Sequence, residues 1–96
     1  PSDLDLTPEA LPDGIEAQTH KVMKNLTTIL NGVGLGLGNV VSARVFLTHF
    51  DEDYRRMDAV YESYFPVDGR PARTTVGVIG LASAARVEID FIARRP

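Results

Sequence analysis

Two side chains near the C-terminus are of types that could do chemistry together. Arg73 opens the alternating run "RTTVGVI", and Glu88 lies in a second run, "RVEIDFIA". A guanidinium fork matches a carboxylate bidentately. A carboxylate beside it could position a water or shuttle a proton. In the first run Thr74, Val76 and Val78 share one side, and Arg73, Thr75, Gly77 and Ile79 the other. In the second, Val87, Ile89, Phe91 and Ala93 form the apolar side, and Arg86, Glu88, Asp90 and Ile92 the opposite one. If the runs pair antiparallel with apolar sides aligned, Arg73 and Glu88 project from the same side of a sheet. Strand alternation alone favours the plainer reading, a solvated face with a cross-strand ion pair worth under about 1 kcal/mol. Two details point toward a built pocket. Pro71 stiffens the approach to Arg73, and Gly77 leaves space above the sheet.

The other candidates are weaker. His20 and His49 have no metal-ligand spacing to each other or to a carboxylate pair, and both read as solvated. Ser42, Ser63 and Ser83 lack the strand–turn–helix setting of a nucleophile elbow. Asp51, Glu52 and Asp53 lack the glycine and spacing of a calcium loop, and read as a helix-capping cluster. Arg94 and Arg95 form a basic tip. "NGVGLGLGNV" carries four glycines, but a helix precedes it and a β-branched run follows. That is the reverse of a dinucleotide fingerprint, so it reads as a helix C-cap and a tight turn.

These residues need elements to hold them. Residues 1–12, "PSDLDLTPEALP", read as a loop. Asp13 and Glu16 have capping-box spacing. Ile15, Thr19, Val22, Met23, Leu26, Ile29, Leu30 and Val33 then recur at helical period over about five turns. A strand follows over Val40–Thr48, with Val41, Ala43, Val45 and Leu47 on one face. Asp51 or Asp53 can cap a second helix, with Tyr54, Met57, Val60, Tyr61, Tyr64 and Phe65 on its buried side and Pro66 ending it. A turn falls at Asp68-Gly69. The two C-terminal strands are joined by "GLASAA", a little long for a tight hairpin. The order helix, strand, helix, strand, strand predicts an α/β (α+β) sheet with both helices on one face. Three strands are few for two helices, so more strands or a neighbouring subunit are expected to complete it.

The chain has 96 residues and a net charge of −3. That suits one domain of a size that often gains core by oligomerising. The basic residues are scattered, unlike the stripe of a nucleic-acid binder. With no cysteine, thiolate chemistry and zinc–sulfur sites are excluded. No apolar run or signal-peptide pattern suggests a membrane partner, and the default expectation is a cytoplasmic protein.

"RPARTTVGVIGLASAARVEIDFIA" resembles the C-terminal signature of the RidA (YjgF) family. The signature is carried here by Pro71-Ala72-Arg73, Val76, Val78, Leu81 and the run Val87 to Ala93. "DGIEAQTHKVMKNLTTIL" and "VVSARVFLTHFDED" look like the family's first helix and following strand. The resemblance implies a chorismate-mutase-like fold, a homotrimer and ligand pockets in clefts between subunits. It implies hydrolysis of small-molecule enamine and imine acids, such as 2-aminoacrylate, to 2-oxo acids and ammonia, with no cofactor and no metal. Arg73 corresponds to the arginine that grips the substrate carboxylate, and Glu88 to the acid near the water site. Asp58 stands where the family often has asparagine, Thr75 where it often has cysteine, and Ala82 where it often has proline. Thr75 and Asp58 are thereby candidate substrate-binding residues. The family's tyrosine-bearing N-terminal segment and its two strands ending in Ser-Gly-Gln have no counterpart in residues 1–12. The resemblance thus predicts a sheet lacking its first strands and a pocket lacking one wall. Other implied roles are a non-catalytic 2-oxo acid binder or sensor, and an endoribonuclease or translation inhibitor. The acidic balance weighs against the last.

Overall fold

The computed structural model describes residues 14–96. The expected loop over residues 1–12 and the capping box at Asp13 lie outside the described residues. Helix α1 spans Ile15–Gly32, strand β1 Val40–Leu47, helix α2 Phe50–Glu62, strand β2 Ala72–Gly77 and strand β3 Val87–Ala93.

Helix α1 forms where apolar residues recur at helical spacing, and it ends in the glycine run as expected. Gly34 adopts φ 80°. The Gly34 N–H donates to the Asn31 carbonyl at 3.1 Å and the Leu35 N–H to the Leu30 carbonyl at 2.9 Å. This is the Schellman arrangement, which requires a left-handed residue just past the helix. The buried stripe differs from the expected one. Ile29 and Val33 are each 51 % exposed, while Gln18 and Asn25 are buried. Gln18 gains a reason for burial from the fold, since its Oε1 accepts the Arg86 backbone N–H at 2.8 Å.

The sheet order is β2-β1-β3. Strand β1 runs parallel to β2 and antiparallel to β3. The expected direct pairing of the two C-terminal strands is therefore corrected, because β1 lies between them. A parallel pair needs a crossover, and α2 supplies it between β1 and β2. None of the β2 residues is buried, whereas Ala43, Val45 and Leu47 of β1 are at most 2 % exposed. The apolar strand takes the centre and the Thr-rich one an edge. The segment after β2 crosses the end of β1, where the Val78 N–H donates to the Leu47 carbonyl and the Thr48 N–H to the Arg86 carbonyl.

Both helices lie on one side of this sheet, as expected from the element order. Met23, Val45, Leu47 and Met57 are fully buried between the layers, joined by Tyr61, Phe65, Val87 and Ile89. A register shift between Val40 and Ser42 places Val40 inside and leaves Val41 41 % exposed. Period-two alternation had put Val41 on the buried side, and the extra residue of a bulge reverses that.

Candidate functional site

Register decides which face each candidate occupies. Arg73 lies opposite Ala43, Thr75 opposite Val45 and Gly77 opposite Leu47. Those β1 residues are buried under the helices, so Arg73 and Thr75 also face the helices. Glu88 lies opposite Phe46, as Val76 does from the other side. It therefore points to the open face with Ser42, Arg44, Thr74, Asp90 and Ile92. The expectation that Arg73 and Glu88 share a side is corrected. It rested on aligning the Val76 face of β2 with the Val87 face of β3. Pairing through β1 instead turns Val76 outward, 37 % exposed, and turns the arginine in.

The small Ala43 side chain leaves room for the Arg73 guanidinium to lie over the sheet toward α2. Three α2 residues on one face receive it: Tyr54, Asp58 and Tyr61, at the helical neighbour spacings of four and three. Arg73 Nη2 donates to the Tyr54 hydroxyl at 3.0 Å. The guanidinium carbon sits 4.9 Å from the Tyr61 ring centre and 5.8 Å from that of Tyr54, within cation–π range. Tyr54 is itself stacked on Phe50, with ring centres 5.3 Å apart. Asp58 Oδ1 approaches Arg73 Nη1 to 2.7 Å, the side chains being 27 % and 16 % exposed.

Asp58 Oδ1 and Arg73 Nη1 are in charge contact, yet neither makes a properly directed hydrogen bond, and both atoms are buried. Tyr61 Oη and Thr75 Oγ1 are likewise buried without a partner among the described residues. Buried polar groups are nearly always satisfied, and leaving one unmade costs about 1–3 kcal/mol. Four such atoms at one place mark a polar site short of its complement. Burial raises the Tyr61 hydroxyl pKa; Arg73 opposes the rise, and Glu62 and Asp58 add to it. Tyr61 is thus held as a neutral donor and acceptor. Sequence reasoning placed Tyr54 and Tyr61 in the core stripe of α2 and missed their part here. The available signal was Asp58, a carboxylate set between two tyrosines on that stripe.

The remaining candidates separate from this site. Asp53 does not cap α2, whose N-cap is His49. Buried at 4 % exposure, Asp53 accepts from Arg86 Nε at 2.7 Å and Nη2 at 3.1 Å. That bidentate pair ties α2 to the start of β3, and the Asp53 hydrogen bond raises the Arg86 pKa. His20 is exposed, its Nδ1 2.8 Å from the Tyr64 hydroxyl. His49 Nδ1 lies 3.0 Å from Thr48 Oγ1. A concavity of about 1020 Å³ lies beside α1 at His20, Lys21, Lys24 and Tyr64. Its lining holds none of the buried polar atoms that lack a partner among the described residues; those cluster around Arg73. Among the described residues no group of three or more His, Asp or Glu side chains could hold a metal ion, and no helix is long and apolar enough to cross a membrane.

The chain is similar to known proteins over most of its length. The family model described as Endoribonuclease L-PSP matches residues 3–95. The chain is 34 % identical over 93 residues to Reactive Intermediate Deaminase A, chloroplastic, of Arabidopsis thaliana, covering 94 % of this chain and 49 % of that protein. It is 33 % identical over 85 residues to the 2-iminobutanoate/2-iminopropanoate deaminase of Mus musculus, covering 88 % of this chain and 62 % of that one. The solved structure of Escherichia coli TdcF with bound serine superposes with a TM-score of 0.82 at 27 % identity, covering 88 % of this chain and 68 % of that one. The chain thus spans between half and about two thirds of the length of these proteins. Relatives carry chloroplastic and mitochondrial names, so likeness to them assigns no single compartment.

Proposed function

From its place in the YjgF/RidA family, to which this chain belongs, we propose that it hydrolyses reactive enamine and imine acids of the 2-aminoacrylate/2-iminopropanoate type. The products are a 2-oxo acid and ammonia. The observation that carries this reading is the Arg73 guanidinium, largely buried against two tyrosine rings, its own Nη1 and the Asp58, Tyr61 and Thr75 oxygens lacking directed hydrogen bonds among the described residues. A cation fixed in a low-dielectric setting is suited to a small carboxylate. The deaminase names of two relatives and the serine bound to TdcF support a small acid as ligand.

In this reading Arg73 pins the substrate carboxylate, with Thr75 and Asp58 lining the pocket. The iminium carbon is already electrophilic. Water adds to it, the C–O bond forms and the C=N electron pair moves onto nitrogen. Glu88 accepts a proton from the water and returns one to nitrogen. The C–N bond then breaks, ammonia leaves and the carbonyl closes as its hydroxyl proton is lost. No cofactor is required. Within one chain Glu88 is on the other face of the sheet from Arg73. The reading therefore places the working pocket at a boundary between copies in a homotrimer.

The Arg73 clamp taken alone favours a second reading, a 2-oxo acid binder or sensor, since gripping a carboxylate does not need Glu88. An endoribonuclease role, named in the family description, is weighed down by the net charge of −3 and the scattered basic residues. The test generates 2-aminoacrylate with a pyridoxal-phosphate lyase and follows oxo-acid formation. Acceleration by this protein, lost on Arg73→Ala and on Glu88→Gln, is expected. No acceleration, with pyruvate still bound in calorimetry, selects the binder.

A further inference from the structure

The Arg73 site joins two opposite charges in an ion pair, yet each keeps a buried atom without a directed hydrogen bond. Arg73 Nη1 is a buried donor and Asp58 Oδ1 a buried acceptor, 2.7 Å apart and without a directed hydrogen bond between them or to anything else described. Tyr61 Oη and Thr75 Oγ1 add two more unpartnered groups. Because Asp58 Oδ1 is itself buried, the 27 % exposure of that side chain lies on its other atoms.

A simple anion fits this inventory poorly. It would meet Arg73 but also be pushed away by Asp58, and like charges at short range in a half-buried site are costly. A molecule carrying both charges fits it well. Its carboxylate goes to Arg73, and its N–H groups, which need an acceptor, go to Asp58. The two protein charges are in contact, so the ligand's own charges must also be close, as they are on the adjacent carbons of a 2-amino or 2-iminium acid.

We propose that Asp58 is a charge-selecting residue that recognises the positively charged nitrogen of a zwitterionic 2-iminium or 2-amino acid, while Arg73 holds its carboxylate. This rests on the reading of Arg73 as the carboxylate clamp and narrows its substrate class. The protonated imine is preferred over the 2-oxo acid that hydrolysis produces, so product leaves readily. An asparagine at the same place offers no net charge and would not discriminate in this way.

The test is calorimetric or NMR titration of the full chain with L-alanine and with pyruvate. The two share a carbon skeleton and differ in the charged nitrogen. The wild-type protein should bind L-alanine at least tenfold more tightly than pyruvate. Asp58→Asn should weaken L-alanine about tenfold and tighten pyruvate, with an unchanged melting temperature. Pyruvate preferred by wild type, or Asp58→Asn tightening both ligands alike, makes Asp58 a mere competitor and overturns the proposal. Binding of neither ligand overturns it too. The wild-type ratio stands even where the variant fails to fold. The clamp is judged separately: Arg73→Ala should lose both ligands. A protein that loses both on Arg73→Ala yet shows no L-alanine preference keeps the clamp and fails only the Asp58 assignment.

Discussion

Two arginine–aspartate pairs lie on the two faces of one sheet, both with a closest approach of 2.7 Å. On the open face Arg44 meets Asp90 through two aligned hydrogen bonds, of 3.0 and 2.7 Å. Those side chains are 65 % and 43 % exposed. On the helix-covered face Arg73 meets Asp58 off-axis, walled by Tyr54 and Tyr61, at 16 % and 27 % exposure. The first pair is complete and solvated. The second is enclosed and incomplete. Distance does not separate them; surroundings and unmet hydrogen-bonding capacity do. A pair finished by its own partner has nothing left to offer a ligand, whereas the Arg73 pair does.

The largest effect should come from the covered face. Arg73→Ala removes the cation of the candidate site and should cost about 2–5 kcal/mol of binding to a small carboxylate, read as at least a 30-fold loss in titration. Arg73→Lys should recover part of it, since a point charge replaces the fork. Next comes a third pair that is complete like the first yet buried on its acidic side. Asp53→Ala should destabilise the fold by about 1–3 kcal/mol, seen in urea unfolding. An effect as small as that of an exposed pair would break the link drawn here between burial and consequence. Tyr54→Phe deletes the acceptor for Arg73 Nη2 but keeps the ring. It should weaken ligand binding or shift stability by about 1 kcal/mol. The smallest effect belongs to the open face. Arg44→Ala should leave the melting temperature of the isolated chain nearly unchanged, and any effect should diminish further in salt. A large loss from Arg44→Ala at low protein concentration would contradict the contrast between the faces.

Much of the scaffold was legible. The helical period of Ile15 to Leu30, the glycine stop after it, and the alternation of Val87, Ile89 and Phe91 are local signals that the fold kept. Arg73 could be singled out from Pro71 before it and the strand behind it, although strand alternation alone favoured a solvated ion pair and only the family resemblance made it a carboxylate clamp. The partners of that arginine were not legible. Tyr54 and Tyr61 look like any aromatic stripe until a cation is placed over their rings. Asp53 looks like a cap until Arg86, thirty-three residues on, reaches it.

Local periodicity alone determined that Arg73 and Thr75 share one face of their strand, and that Glu88 stands opposite Val87 and Ile89 in its own. Such relations need only the two-residue repeat of an extended chain. The tertiary structure decided the rest: that β1 separates the two strands, that the arginine face of β2 turns toward α2, and that the glutamate turns away. Those choices depend on pairing between distant segments. The Thr-rich β2 has no strongly apolar side to settle its own orientation, so burial of β1 and the waiting tyrosines and carboxylate of α2 settle it instead.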